Sequence, residues 1–193
     1  MKLGQFFFKY RSYTPLPFLV PMFLYGRPTT LTLIAGLILA LLGEIIRLWG
    51  VSYAGGETRT RKVGASNLVT QGPFSYVRNP LYFGNIMIYF GISVMANSLS
   101  PWLQIVGLIY FYIQYHFIIK DEEEPKLREL FKEKYDDYCN SIKRFLPGAP
   151  YDMSKQSKVK FDLKAGYKSE KRTLQAMSSI ALMVILIYIL THQ

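Results

Sequence analysis

The sequence contains very little cysteine and histidine, which limits the kinds of site that the chain can hold. Cys139 is the only cysteine among 193 residues, so an intrachain disulfide and a cysteine-based metal site are both excluded. The two histidines, His116 and His192, lie far apart in the sequence and form no metal-binding pattern. We therefore expect no metal centre, and we interpret His116 as a packed interior residue of a helix rather than as a catalyst.

Acidic residues are also scarce, because 13 aspartates and glutamates stand against 23 lysines and arginines and leave a formal net charge of +10. A chain this basic could bind nucleic acid, but half of its residues are hydrophobic and several apolar runs are long. No secretory signal is visible after Lys2, since the following stretch is aromatic and broken by proline. The composition predicts an integral protein of the lipid bilayer, with one membrane bundle and no nucleic acid as partner.

Apolar runs predict an all-α, polytopic bundle with about five transmembrane segments. These segments are 14–25, 30–49, 81–95, 101–119 and 173–190. Three prolines break the first of them, so both a kinked span and a re-entrant piece fit the sequence there. Gly36 and Gly43 in the second segment allow close helix packing. The last segment could close the flank of the bundle or serve dimerisation, so a homo-oligomer is one expectation.

Prolines, charges and apolar runs divide the chain into four parts. Residues 1–29 form a proline-broken membrane segment, and 30–147 form a core with three transmembrane helices. Residues 148–172 form a basic cytosolic linker, and 173–193 form a C-terminal transmembrane helix. At the end of the core, apolar residues recur every three or four positions over 127–145, which predicts one amphipathic helix on the cytosolic face of the bundle.

Cations lie almost entirely on one side of the predicted bundle. If the N-terminus is cytoplasmic, only Arg27 falls outside, and the turn 96–100 carries no charge. The cations placed inside include Lys2, Lys9, Arg11, Arg59, Arg61, Lys62 and Arg78. Lysine and arginine in short loops favour the cytoplasmic side, and they are attracted to anionic lipid headgroups. This pattern predicts the orientation of the bundle.

Two polar clusters stand at helix ends on the predicted inner side. Three glutamates, 122–124, follow the fourth apolar run, and Arg78-Asn79-Pro80 begins the third. Asparagine is a favoured N-cap, proline suits the first helical position, and the free amides of a helix N-terminus attract carboxylates. A charge run is usually a solvated surface, and Asn79-Pro80 could be only a helix start. Two such clusters at one membrane surface favour a site where a charged, water-borne ligand meets a lipid-borne one.

Glu44 and Arg47 form a further candidate group near the inner end of the second segment. Three positions apart on a helix, they share a face and can pair. Two interpretations of Glu44 and Arg47 fit the sequence equally, a structural ion pair and a functional pair inside the membrane. A different class of protein is also possible, a small transporter that uses Glu44, Arg47 and glutamates 122–124 as an ion path. No charge lies near the midplane and no half of the chain is repeated, which disfavours a carrier.

The order of these motifs resembles the membrane methyltransferases typified by isoprenylcysteine carboxyl methyltransferase and phospholipid methyltransferases. Residues 68–84, LVTQGPFSYVRNPLYFG, are similar to the first motif of that family. The second motif is a glutamate pair at the end of a membrane helix, followed by spaced Leu, Phe, Tyr, Arg and Pro. Its counterparts here are Glu123, Glu124, Leu127, Phe131, Tyr135, Tyr138, Arg144 and Pro147. The resemblance covers roughly residues 37–147.

This resemblance implies a methyltransferase that uses S-adenosyl-L-methionine at the cytoplasmic face and takes a lipid or lipidated acceptor from the bilayer. The cofactor-binding residues that it implies are Asn67, Leu68, Val69, Phe74, Asn79, Pro80, Tyr82 and Glu123. Glu123, Arg78 and Asn79 are the implied catalytic set, with Glu123 near the cofactor's charged end and Arg78 near its carboxylate. A catalytically inactive scaffold with the same fold is an alternative.

Two departures from the family pattern affect what can be carried over. Asn79 stands where the isoprenylcysteine enzymes carry histidine, and Phe74 where they carry tyrosine, so no histidine-dependent step is assumed. Ile119 takes the place of their acceptor-binding arginine, with Lys120 beside it. Glu44, Arg47 and Lys120 are then the candidate substrate contacts. The methyl-accepting atom, oxygen, nitrogen or sulfur, stays open.

Overall fold

The chain folds into a helical bundle whose helix bounds differ in part from the predicted segments. The structure is a computed structural model that describes residues 2–55 and 67–192. Its α-helices are α1 (Leu3–Tyr10), α2 (Leu16–Leu24), α3 (Thr30–Ala54), α4 (Pro80–Ala96), α5 (Trp102–Ile118), α6 (Glu124–Phe131), α7 (Glu133–Ser141) and α8 (Leu163–Thr191). A 3₁₀ turn, Gly72–Ser75, precedes α4, and π-helical residues Ile119–Glu123 join α5 to α6. No strand occurs within the two described ranges, so the all-α prediction is confirmed.

Three helices in the described part of the chain are long and apolar enough to cross a membrane. They are Thr30–Ala54, the continuous run Trp102–Phe131 and Leu163–Thr191. The fourth apolar helix, α4, has 17 residues, somewhat fewer than the roughly 20 of a straight span. The chain is therefore an integral membrane protein, but the predicted number of five segments is not confirmed. The predicted inner cations Arg59, Arg61 and Lys62 lie outside the described residues.

The predicted first segment, 14–25, contains only the short helix α2. Nine residues give about 14 Å of helix, which cannot cross a hydrocarbon core of about 30 Å. Pro15 precedes this helix and Pro21 lies inside it, so a longer helix is disfavoured. Helix α2 alone is therefore too short to span the membrane, and of the two predicted alternatives the re-entrant piece agrees with its length.

Glycines allow α3 and α4 to pack backbone against backbone. A Cβ atom at Gly43 would lie 2.7 Å from the carbonyl oxygen of Gly84, and one at Gly91 would lie 2.6 Å from that of Gly36. Both distances are well below an ordinary carbon–oxygen contact, so a side chain fits only if the helices move apart. The prediction that Gly36 and Gly43 permit close packing is confirmed, and their partners are glycines of α4.

We expect Gly84→Ala to lower the free energy of unfolding by about 1–3 kcal/mol, because the added methyl group overpacks this contact. That methyl group would also lie 2.6 Å from Cγ of Arg47. Gly148→Ala is the matched control, since nothing lies within 4 Å of the Cβ added there. Denaturant unfolding in detergent measures both variants. Equal stability of the two proteins would contradict the packing argument.

The last helix, α8, begins at Leu163, well before the predicted segment 173–190. The Asp162 side chain caps it by accepting a hydrogen bond from the amide of Ala165 at 2.9 Å. The last ten residues of the predicted linker 148–172 are therefore helical. Their polar sequence conceals this helix, because lysines on the exposed side of α8 interrupt the apolar pattern.

A buried ion pair fixes α8 against α3. Nη2 of Arg47 donates to both carboxylate oxygens of Glu170, at 2.8 and 2.9 Å, and Glu170 is 0% exposed. Nη1 of the same guanidinium donates to Oδ1 of Asn85 on α4. Glu44 lies 3.8 Å from Nε of Arg47, so the predicted pair exists, but Glu170 is the closer partner. The group joins three helices, which favours the structural interpretation of Glu44 and Arg47.

The predicted single amphipathic helix over 127–145 is wrong, because it is divided into α6 and α7. Lys132 separates them with φ of +48°, a conformation that interrupts a helix. Nε of Arg128 donates to Oδ1 of Asp136 across this break at 3.0 Å. The apolar residues keep a common side in spite of the break, since Leu127 and Phe131 of α6 pack against the buried cluster of α7. That cluster contains Tyr135, Tyr138 and Ile142.

Candidate active site

The two sequence motifs meet at the end of the bundle where α4 begins and α5 ends. The amide of Arg78 donates to the carbonyl oxygen of Lys143 at 2.9 Å. Nδ2 of Asn79 donates to the carbonyl oxygen of Arg144 at 3.1 Å. Residues more than sixty positions apart in the sequence are thus joined by direct hydrogen bonds. The arrangement makes one site from the two motifs.

Helix α7 and the segment after it also hold the 3₁₀ turn of the first motif. The Tyr138 hydroxyl donates to the carbonyl oxygen of Phe74 at 2.6 Å. Burial raises the pKa of the Tyr138 phenol above its usual range, so the hydroxyl keeps its proton and remains a donor. The amide of Tyr151 donates to the carbonyl oxygen of Ser75 at 2.8 Å. The first half of the predicted linker is therefore attached to the site.

The loop that carries Asn67, Leu68 and Val69, which the resemblance implies as cofactor-binding residues, lies beside this same segment. The amide of Thr70 donates to Oγ of Ser157 at 3.0 Å, and the amide of Ser157 donates to Oγ1 of Thr70 at 2.8 Å. Leu68 packs against the aromatic cluster of α7, Val69 is half-buried and Asn67 is exposed. Paired hydrogen bonds thus fix the loop at its C-terminal end.

Asn79 takes the N-cap position of α4, but its side chain does not cap the helix. The amide group is used on the Arg144 carbonyl, and no side chain of the described residues caps the first turn of α4. Pro80 is fully buried at the first helical position. The prediction of a side-chain cap is therefore wrong, and the uncapped amides of this turn face the site with the partial positive charge of a helix N-terminus.

Glu123 and Tyr82 form the first polar contact of the site. Glu123 lies at the end of the π-helical residues and accepts a hydrogen bond from the Tyr82 hydroxyl at 2.5 Å. The Tyr82 ring stacks on Tyr115 with a centroid distance of 4.4 Å, and Phe111 lies beyond Tyr115 at 6.2 Å. A row of aromatic rings therefore leads from Glu123 into the apolar interior of the bundle.

Glu124 is bound by arginines and was not predicted as a site residue. Nε and Nη2 of Arg144 donate to its two carboxylate oxygens at 2.9 and 2.8 Å. Nη1 of Arg78 lies 3.5 Å and Nη1 of Arg128 lies 4.0 Å from the same carboxylate, which is 4% exposed. We call Arg78, Arg128 and Arg144 the arginine cluster. Asp136 is the closer partner of Arg128, so Arg78 and Arg144 share the single carboxylate of Glu124 and leave an excess of positive charge.

The predicted substrate residues lie in two different settings. Lys120 is exposed on the π-helical residues. Glu44 and Arg47 are buried in the contact of α3 with α8. The described residues contain no group of three or more His, Cys, Asp or Glu side chains that could hold a metal ion. His116 is half-buried, and its Nδ1 lies 3.4 Å from Nη1 of Arg144.

Comparison with known proteins agrees with the first motif and with the beginning of the second. A profile of the phospholipid methyltransferase family matches residues 31–134, more than half of the chain. The chain belongs to this family. The resemblance that the motifs indicated is therefore confirmed. The match covers α3 to α6, whereas α1, α2 and α8 lie outside it.

Several curated proteins are similar to this chain over the same region. The rat protein-S-isoprenylcysteine O-methyltransferase is 29% identical over 58% of this chain and 40% of its own length. The cobalt-zinc-cadmium resistance protein CzcN of Cupriavidus metallidurans is 32% identical over 62% of this chain and 50% of its own. The nickel-cobalt-cadmium resistance protein NccN of Alcaligenes xylosoxydans xylosoxydans is 29% identical over 60% of this chain and 49% of its own length. The chain spans half or less of the length of these relatives, and no solved structure matches it.

Proposed function

We propose that the protein is an S-adenosyl-L-methionine-dependent methyltransferase that acts on a lipophilic acceptor in the membrane. The observation that carries this proposal is the junction of the two family motifs, with Glu123 and Tyr82 on one side and the arginine cluster around Glu124 on the other. Membership of a methyltransferase family supports methyl transfer. The apolar helices that surround the site support an acceptor drawn from the bilayer.

The charges at this site suit the amino-acid end of the cofactor, which carries an ammonium and a carboxylate group. Glu123 can hold the ammonium, since a carboxylate accepts about four hydrogen bonds and Tyr82 supplies one of them. The arginine cluster can hold the carboxylate, because it exceeds the charge of Glu124 and because Nε of Arg78 is buried without a hydrogen-bond partner. The uncapped amides at the start of α4 favour the same carboxylate.

The remaining predicted cofactor residues would form the walls of the site. Asn67, Leu68 and Val69 lie on the loop that Ser157 fixes, and Phe74 lies on the turn that Tyr138 holds. Pro80 and Asn79 place the first turn of α4 against the segment after α7. We propose that these residues position the cofactor through shape and backbone groups rather than through charge.

The cofactor supplies an electrophilic methyl group on a sulfonium, so no covalent intermediate with the protein is required. The residues of the site would act by binding, by orienting the two reactants and by excluding water. Asn79 cannot accept a proton near neutral pH, and its amide is occupied by the Arg144 carbonyl. We therefore propose a positioning role for Asn79 and assign no acid–base step to it.

We also propose that the site faces the cytoplasm. The start of α4 lies at the same end of the bundle as the arginine cluster and Lys143. The lysine-rich residues 148–172 follow directly in the chain. Lysine and arginine near membrane helices favour the cytoplasmic side. A cytoplasmic site would give a water-soluble cofactor direct access. The buried contact of Arg47 with Glu170 disfavours the transporter alternative, because that pair serves helix packing.

We expect S-adenosylmethionine and its demethylated product to stabilise the protein in detergent, because a ligand that binds only the folded state stabilises it by mass action. The gain is about 2.7 kcal/mol at a ligand concentration of 100 Kd. Thermal unfolding over a series of ligand concentrations measures the effect. Adenosine alone lacks the amino-acid end and is the matched control, with a smaller expected shift.

Absence of a shift with both ligands at millimolar concentration, in several detergents, would contradict the proposed cofactor. A shift without turnover would favour the inactive scaffold. Mass spectrometry of lipids and small thiols after incubation with labelled cofactor tests turnover. It also identifies the accepting atom as oxygen, nitrogen or sulfur.

A further inference from the structure

The long helix α8 lies outside the family match and has one side that the bundle does not cover. Its buried residues are Gly166, Glu170, Met177 and Val184, which share the side that faces the bundle. Only 17% of its apolar window is buried within the described structure. The opposite side of α8 is therefore exposed to water at one end of the helix and to lipid along the rest.

Three kinds of side chain follow one another along that exposed side. Cations come first, amide and hydroxyl groups come next, and aliphatic side chains come last. In this order they are Lys164, Lys168, Lys171, Arg172, Gln175, Ser178, Ser179, Leu182 and Leu186, all of them exposed. Steps of three and four residues place these side chains on one face of the helix. We call this surface the outer face of α8.

The length of α8 gives each kind of side chain its own depth in the bilayer. The apolar residues 173–190 form about 27 Å of helix, close to the hydrocarbon thickness of about 30 Å. Residues 163–172 then extend about 15 Å beyond the hydrocarbon. Lys171 and Arg172 lie at the level of the lipid headgroups. Gln175 lies just inside the hydrocarbon boundary, at the level of the glycerol esters of phospholipids.

These polar groups need partners that the rest of the described chain does not supply. The ion pairs among the described residues include none of Lys168, Lys171 and Arg172, and the Gln175 side chain has no hydrogen bond to any of those residues. Cations at headgroup level attract anionic lipids, and an amide in hydrocarbon is costly without a hydrogen bond. A shallow groove on the outer face, lined in part by Lys171, Gln175 and Leu182, gives a ligand room to bind.

A second copy of the chain does not suit this face. A dimer with twofold symmetry pairs a surface patch with itself, so the cations of α8 would lie beside the same cations of the partner. Like charges in close contact repel each other. The charge of the outer face therefore favours an anionic ligand over self-association.

An anionic phospholipid is complementary to the outer face at all three depths. Its phosphate suits the cations, and its ester oxygens can accept hydrogen bonds from Gln175 and the serines. Its acyl chains can pack on Leu182 and Leu186, which a free phosphate ion cannot do. The order of the side chains along α8 thus matches the order of the chemical groups along one lipid molecule.

We propose that the outer face of α8 binds one anionic phospholipid as a structural ligand. The bound lipid would stabilise the folded protein by mass action and hold α8 at a fixed depth in its leaflet. It is not the methyl acceptor, since the outer face points away from the bundle, whereas the candidate active site lies within it. The proposal is independent of the proposed function, and its test requires no methyl transfer.

The test measures ligand binding to the full chain in neutral detergent, by native mass spectrometry and by thermal unfolding. The probes are dioctanoyl phosphatidylglycerol, dioctanoyl phosphatidylcholine and glycerol 3-phosphate. We expect one phosphatidylglycerol per chain, bound about tenfold more tightly than either other probe. The double variant Lys168→Gln with Lys171→Gln should lose this preference and leave the affinity for phosphatidylcholine unchanged. Gln175→Leu should weaken binding of both lipids.

The matched control is Lys132→Gln with Lys134→Gln, which removes two exposed lysines from another part of the chain. An equal loss in the control would assign the preference to overall charge and overturn the proposal. Equal affinity of the wild type for the two lipids, or equally tight binding of glycerol 3-phosphate, would overturn it without any variant. A dimer that excludes phosphatidylglycerol would assign the face to a second copy instead. If the double variant does not fold, Lys171→Gln alone should show part of the loss, and unchanged binding would contradict the site.

Discussion

Glu170→Gln is expected to lower the free energy of unfolding by about 3–5 kcal/mol, the usual cost of removing one partner of a buried ion pair. The substitution keeps the size of the side chain but leaves the Arg47 guanidinium without its closest counter-charge in the contact of α3 with α8. Denaturant unfolding in detergent measures the change. The large value follows from burial, since Glu170 is 0% exposed.

An exposed ion pair supplies the control for this experiment. Lys126 and Glu129 are 2.9 Å apart with side chains 37% and 67% exposed, so Lys126→Gln should cost at most about 1 kcal/mol. The triple variant Glu44→Gln, Arg47→Met and Glu170→Leu should recover much of the lost stability, because it removes all three charges of the buried group together. A cost for Glu170→Gln no larger than that of Lys126→Gln would show that the pair does not hold α8 in place.

The sequence predicts the membrane part of α8 but not its start, for a physical reason. The buried residues of the helix are Gly166, Glu170, Met177 and Val184, all on one side. Two of these four carry no apolar side chain, so hydropathy marks the helix only from about residue 173 onward. Glu170 is buried because Arg47 meets it, and that contact joins residues 123 positions apart. No local pattern in the sequence contains this information.

The candidate site shows the same division between local and distant information. The sequence correctly placed a helix start at Pro80 and a helix end with glutamates, because proline and charge runs act locally. The grouping of Arg78, Arg144 and Glu124 depends on the contact between the two motifs. The resemblance to a family placed Glu124 and Arg144 in one motif, but it did not predict that they bind each other or Arg78. Hydrogen-bond partners of Glu124 could not be derived from spacing alone.

The π-helical residues explain why two adjacent glutamates have different partners. A π-helical turn rotates the following residues relative to an α-helix. Glu123 ends this stretch and meets Tyr82, whereas Glu124 begins α6 and meets the arginine cluster. π-Helical turns are frequent at functional sites. The acidic run is thus divided between two contacts, and a uniform solvated surface does not describe it.

Glu123→Gln is expected to reduce cofactor affinity or turnover at least tenfold while stability changes little. Glutamine keeps the shape of the side chain and can still accept the Tyr82 hydrogen bond, but it cannot offset the charge of an ammonium. Truncating one partner of a desolvated charge pair costs about 2–5 kcal/mol of binding, and tenfold corresponds to about 1.4 kcal/mol. Calorimetric titration with S-adenosylhomocysteine and single-turnover methyl transfer measure the two effects.

Glu129→Gln removes a carboxylate from the same acidic region at an exposed position, and it should leave affinity and turnover unchanged. Comparing the two variants separates a general loss of negative charge from a specific contact at residue 123. An equal reduction in both would point to long-range electrostatics, which salt would screen. If neither variant changes binding or turnover, Glu123 does not contact the cofactor, and the ammonium must be held elsewhere in the site.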